Sequence, residues 1–259
     1  MATFPIYQIY MELQDYEPKM WRRIQIMNDI TVARLGYLIM VLYELRENYS
    51  YEIIKDEMEV YKKRHPECVR NPEKLKQLNR DFRVNRYGIT SKKNMYMYKK
   101  EREDLQDATN VKLKDVFHIK GDELIFYYDP EINWKIKVVL EKEIIDKKLF
   151  AKDLPKVVEG KGYGIIETCS GTKDLIKFRD KLEKSNWKNH SDYQYYYTIG
   201  QKEDKLNFDR LKIDDMNFRI KTLPLVLQQK YEENLYPSDR TRKILKRKYT
   251  VYRKNTPIY

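Results

Sequence analysis

Apolar and polar positions alternate along the stretch from Leu124 to Lys142. Leu124, Phe126 and Tyr128 share one face of a first run, and Trp134, Ile136, Val138 and Leu140 share one face of a second, the period of two expected of half-buried strands. Pro130 has no amide to donate, so the ladder stops there and Asp129 to Asn133 form the turn of a β-hairpin. Phe4 to Leu13 also alternates, but with apolar side chains on both sides, which predicts a central strand. After a turn over Asp15 to Pro18, Met20 to Met27 reads as its partner, with Trp21, Arg23 and Gln25 opposite Arg22, Ile24 and Ile26. The period then changes to that of a helix: Val32, Leu35, Leu38, Ile39 and Leu42 form one stripe behind Asp29 or Thr31 as the cap, and this helix packs on the sheet.

Further along, Tyr49 to Ile54 predicts a short strand, and Lys55 to Asp107 is a highly charged elaboration in which Asn71 and Pro72 start a helix buried through Leu75, Leu78 and Phe82. Val111 to Phe117 leads through a Gly121-Asp122 turn into the hairpin. With Gly160, Gly162 and Gly164, the stretch from Leu154 to Gly164 predicts a loop. A helix capped by Thr172 runs to Leu182, another starts at Asp214, and Pro224 kinks or restarts it before Leu225 to Leu235. The fold class is α+β: a mixed or antiparallel sheet of hairpins with packed helices, plus a helical, basic C-terminal extension. The expected division is a core over 1–184, elaborated at about 55–107, and an extension over 185–259.

The charge adds a second theme. The 259 residues carry a formal net charge of +12, an excess that attracts polyanions, with nucleic acid the first partner to consider. The surplus is concentrated at one end: Arg240, Arg242, Lys243, Lys246, Arg247, Lys248, Arg253 and Lys254 occur with no acidic residue among them, interleaved with Tyr249 and Tyr252. These ten residues are the candidate nucleic-acid contacts, cations for phosphates and tyrosines for unpaired bases. Lys62, Lys63 and Arg64, with Lys92, Lys93, Lys99 and Lys100, extend that surface if the fold brings them to it. No apolar run reaches the length of a membrane span, and the opening MATFPIYQIY lacks the layout of a signal peptide. Cys68 and Cys169 form no disulfide framework, so a reducing cytoplasm is the expected setting.

Several short motifs occur in a recognisable order: Ile6-Tyr7-Gln8 with Pro18 and Trp21-Arg22-Arg23; Tyr128-Asp129 with Trp134; Glu159 to Glu167 with Cys169 and Gly171; and Asp214-Asp215-Met216-Asn217. In these the chain resembles the plasmid pRiA4b ORF-3-like family of plasmids and other mobile elements. It departs from the pattern ahead of the tryptophan, where it has Glu131, Ile132 and Asn133, and at Tyr163-Gly164, where a cysteine is usual. The resemblance implies an α+β domain and a mobile-element setting. It also points to inhibitors of type II CRISPR effectors, whose exposed guide RNA a cationic protein would capture.

Three carboxylates, Asp129, Glu131 and Glu167, are the candidates for general acid–base work in a metal-dependent ribonuclease, the alternative reading, with Glu141 directed away from the Trp134 face. Only that reading calls for a cofactor, Mg²⁺. Otherwise no cofactor or metal site is expected, since His65 and Cys68 have ligand-like spacing but Cys169, His118 and His190 are scattered. Trp21 is expected in the core, with Arg22 and Arg23 pointing to opposite faces and one of them paired to Asp129 or Glu167. The leading expectation is a cytoplasmic protein that binds nucleic acid or a nucleoprotein, such as a CRISPR effector ribonucleoprotein, through its tail. A protein-only adaptor docking on an acidic partner is the third reading.

Overall fold

A computed structural model describes residues 5–45, 49–71, 73, 76–77, 84–89, 104–145, 151–184, 207–233 and 235. Its organising element is one eight-stranded mixed sheet with the order β5-β4-β3-β6-β7-β1-β2-β8. The strands are β1 (Ile6–Leu13), β2 (Trp21–Met27), β3 (Tyr51–Asp56), β4 (Val84–Gly88), β5 (Leu105–Asp107), β6 (Glu123–Tyr128), β7 (Trp134–Ile144) and β8 (Lys156–Lys161). Every pairing is antiparallel except that of β4 with β5. The predicted hairpin is β6–β7, in the register Phe126 opposite Ile136 and Tyr128 opposite Trp134. As its two apolar faces require, β1 lies centrally, between β7 and β2.

One face of this sheet carries the core. Ile9, Met11 and Leu13 of β1, Ile24 of β2, Phe126 and Tyr128 of β6 and Trp134, Ile136 and Val138 of β7 are all buried. They pack beneath α1 (Val32–Leu42), whose N-cap is Thr31 accepting from Arg34 N at 3.1 Å. Ten of its eleven residues are buried, so α1 is the central helix and not a surface one.

Two regions differ from the sequence reading. The elaboration at 55–107 contributes α2 (Glu57–Arg64), α3 (Pro66–Val69) and the two edge strands β4 and β5. It is built into the sheet because β3, an edge strand without it, has free backbone groups for β4 to pair with. The predicted helix positions Pro72, Leu75, Leu78 and Phe82 lie outside the described residues. The predicted glycine loop is largely the strand β8, paired to the other edge at β2. Gly160 serves there as a close-approach residue: a Cβ would meet Leu211 Cδ2 at 2.6 Å and the Trp21 carbonyl at 2.8 Å.

The C-terminal part returns to the same body. α4 (Thr172–Lys184) buries Leu175 and Leu182, α5 (Ile213–Arg219) packs on β8, and α6 (Leu223–Glu233), restarted at Pro224, packs on α1. Tyr231 of α6 packs against the Tyr37 ring and donates to the Tyr49 carbonyl. The boundary drawn at 184 therefore falls at the end of α4, and residues 207–233 are integral to the packed core. The basic stretch 240–254 lies outside the described residues.

Candidate functional site

The most heavily constrained polar group is Arg22. Alternation turns it to the core face of β2, where it is fully buried. Among the described residues no carboxylate receives it. Nε donates to Leu42 O at 3.1 Å, one terminal nitrogen to Trp21 O at 2.8 Å and Lys161 O at 2.6 Å, and the other to Tyr163 O at 2.9 Å. The guanidinium also lies 5.1 Å from the Tyr43 ring centroid. Burial pulls its pKa down. Just beyond α1, Glu44 takes a left-handed conformation (φ 60) and grips Arg219 of α5 through both carboxylate oxygens. Gly164 passes so close that a Cβ would meet Glu44 Cγ at 2.6 Å.

The segments carrying the family-like motifs hold one another here. Arg22 ties β2 to Lys161 and Tyr163. Tyr128 donates to Glu167 at 2.8 Å. Asn217 brackets Val157, accepting from its amide at 2.7 Å and donating to its carbonyl at 3.1 Å, which closes the free edge of β8. These residues fasten the fold.

The three candidate acids have separate tasks. Asp129 is buried at the left-handed first position of the hairpin turn (φ 60), and its Oδ1 accepts from the amides of Glu131 at 3.0 Å and Ile132 at 3.4 Å. That is a turn-forming role. Glu131 is exposed on the same turn, and Glu167 accepts from Tyr128. Among the described residues no group of three His, Cys, Asp or Glu side chains could hold a metal ion. His65 sits 3.2 Å from Glu67, while Cys68 and Cys169 are buried and in no disulfide among the described residues. His190 lies outside the described residues.

The candidate cations divide likewise. Arg240, Arg242, Lys243, Lys246, Arg247, Lys248, Tyr249, Tyr252, Arg253 and Lys254 lie outside the described residues, as do Lys92, Lys93, Lys99 and Lys100. Lys62, Lys63 and Arg64 of α2 are engaged locally, with Glu59, Glu123 and Asp122 respectively. Asp122, itself buried, also accepts from the amides of His118 at 2.7 Å and Ile119 at 3.2 Å. Burial alone would raise its pKa, but these bonds, Arg64 and the charge of Lys55 outweigh it and leave it below the usual range.

The other face of the sheet is polar and half-buried. Cross-strand rows run over it: Ile125, Lys137, Glu12, Trp21 and Lys161 in one; Glu123, Val139, Tyr10, Arg23 and Glu159 in the next; Lys142, Gln8, Gln25 and Lys156 in a third. Trp21 belongs here, stacked on Tyr10 with ring centroids 5.6 Å apart, and not in the core as expected. Arg23 pairs with Glu141 (2.7 and 2.8 Å) and Glu159, a different pairing from the expected Asp129 or Glu167. Hydrogen bonding by Arg23 lowers the Glu141 pKa below its usual range despite partial burial, with help from Gln8. Local alternation sorts Trp21, Arg23 and Glu141 to faces, but the pairing of β1 with both β2 and β7 joins residues about as far apart as Gln8 and Glu141, and no local signal reports that.

The fold and these sites define an α+β protein built on one mixed sheet, whose helical cover, among the described residues, lies over one face. The sequence pattern of the plasmid pRiA4b ORF-3-like protein family matches residues 5–217, and the chain belongs to that family. A similar fold occurs in the crystal structure of a protein of unknown function, MM3350, from Methanosarcina mazei Go1. The TM-score is 0.57 at 20% identity, covering 82% of this chain and 98% of that one, a likeness of fold alone. No curated protein matches the chain.

Proposed function

We propose that this is a nucleic-acid-binding protein of a mobile genetic element, acting in the cytoplasm, in which an α+β body carries a cationic stretch at 240–254 that engages RNA. The observation that carries the reading is the distribution of charge. Eight of the twelve net positive charges fall in 240–254, leaving four for the other residues together. Within the described body several cations are matched by carboxylates: Lys19 with Glu12, Arg23 with Glu141 and Glu159, Arg86 with Glu52, Lys137 with Glu123, Arg179 with Asp180 and Arg219 with Glu44. Cations matched in this way leave little field for a distant polyanion, whereas a run without acids is free to displace counterions from phosphates. No described helix is long and apolar enough to cross a membrane.

The finer reading, which rests on the family resemblance, is that the RNA is the guide of a type II CRISPR effector, captured so that the effector is inhibited. The test measures RNA affinity against salt for the full chain and for a full-length variant with the eight cations of 240–254 replaced by Gln. The wild-type slope of log K on log salt should be steep, at about −0.7 per phosphate contact for a single strand, and should collapse in the variant. Equal, salt-insensitive binding by both proteins refutes the reading. Adding the effector with and without its guide then tests the finer claim: inhibition without guide RNA binding refutes it.

A further inference from the structure

The open face of the sheet has features that the tail does not explain. Tyr10 and Trp21 present stacked rings there, and the Arg23 guanidinium lies 5.2 Å from the Trp21 ring and 5.9 Å from that of Tyr10. Both flanks of their strands are bulged. Between Gln8 and Ile9 the partner β7 holds one extra residue, and between Arg23 and Ile24 the partner β8 does the same. A bulge places two consecutive side chains on one side of a sheet: Glu141 and Lys142 on one flank, Val158 and Glu159 on the other. Between them lies an open depression of about 550 Å³ lined by Gln8, Arg23, Lys120, Glu141, Lys142 and Val158, among others.

The charges on this face are unequal in a directed way. Its carboxylates are satisfied: Glu12 by Lys19, Glu123 by Lys63 and Lys137, and Glu141 and Glu159 by Arg23. Lys120, Lys135, Lys142 and Lys156 are exposed, and none has a carboxylate within 4.0 Å among the described residues. Lys135 instead lies 5.8 Å from the ring of Tyr127 on the same face. Stacked, half-exposed rings on a face that also carries lysines without carboxylate partners among the described residues suit a ligand with flat faces and a repeating negative charge.

We propose that this face is a platform for single-stranded nucleic acid, with Trp21 and Tyr10 stacking on unpaired bases and Lys120, Lys142 and Lys156 contacting phosphates. The inference rests on the nucleic-acid reading above and assigns it a second contact, one selective for unpaired bases. The probes are a labelled twelve-nucleotide oligouridine and a duplex RNA of equal length, bound to full-length proteins. Trp21→Ala lowers affinity for the single strand about tenfold and leaves the duplex unaffected. Lys120→Glu with Lys142→Glu, both exposed and remote from the core, lowers it by a similar factor and reduces the salt slope. A 4-thiouridine strand crosslinks to the peptide containing Trp21. Unchanged single-strand affinity in both variants, or crosslinks confined to 240–254, overturns the platform while leaving the tail intact. The reverse result, with losses only on the sheet face, sinks the tail and keeps the platform. Displacement of the strand by equimolar polyglutamate overturns it too, since an acidic peptide would then serve as well.

Discussion

Arg22 and Arg23 are neighbours in β2, yet the two faces of the sheet treat them in opposite ways. Arg22 is enclosed under α1 and directs its donors at main-chain carbonyls from three parts of the chain. Arg23 is about a quarter exposed and pairs with Glu141 and Glu159. The period of two decides which side each takes, and the environment then decides what the charge is for. On the covered face the guanidinium satisfies carbonyl acceptors in the buried core, so it functions as a fastener. On the open face it screens carboxylates and supports aromatic rings, and the surface stays wet.

The largest test of this contrast is Arg22→Met. It keeps much of the side-chain volume but leaves the carbonyls of Leu42, Lys161 and Tyr163 without their donor, at about 1–3 kcal/mol for each buried acceptor that finds no other partner. We expect a loss of more than ~3 kcal/mol in urea unfolding. A loss below ~1 kcal/mol would break the contrast. Next is Glu44→Gln, which weakens the two-oxygen grip on Arg219 where α1 meets α5. Side-chain exposures of 15% and 8% justify an expected cost of about 2 kcal/mol, as for a hydrogen bond to a charged group.

Acid sharpens the picture from another side. Asp122 is a buried carboxylate held below its usual pKa by its bonds to His118 N, Arg64 and Ile119 N, which outweigh the effect of burial. A depressed carboxylate contributes stability above its unfolded pKa and loses it as pH falls through the folded value. The urea midpoint should therefore be flat above pH ~5 and fall from about pH 4 downward. Asp122→Asn should cost about 1.5 kcal/mol at neutral pH and flatten that acid limb, and an unchanged limb would assign the acid sensitivity to other groups.

Much of the fold was legible because its signals are local. The β6–β7 hairpin follows from alternation around Pro130, α1 from its stripe behind Thr31, and the break before α6 from Pro224. β8 was misread because glycines mark both loops and close approaches, and only the neighbouring Leu211 and Trp21 distinguish the two. Of the site, the opposite facing of Arg22 and Arg23 was readable, whereas their partners were not. Leu42, Lys161, Tyr163 and Glu141 reach them through long-range pairing, which no spacing in the chain encodes. Asp129 looked chemical because it stands beside Trp134, but its left-handed backbone and two accepted amides make it part of the turn.

The smallest effect belongs to Arg23, and it decides whether the open face is a surface or an outer core. Arg23 and Glu141 have side-chain exposures of 26% and 25%, and Glu159 is 58% exposed, so solvent screens the network and its removal should cost no more than about 1 kcal/mol. Arg23→Met should accordingly move the urea midpoint slightly, while the Glu141 pKa, held down first by its bonds from Arg23, should rise towards the ordinary range when followed by NMR titration. Both results together mean that Arg23 shapes local charge without carrying the fold. A cost approaching that of Arg22→Met would instead mean that Tyr10, Trp21 and Arg23 form a second packed layer, and rings committed to such a layer would not be free to stack on anything else.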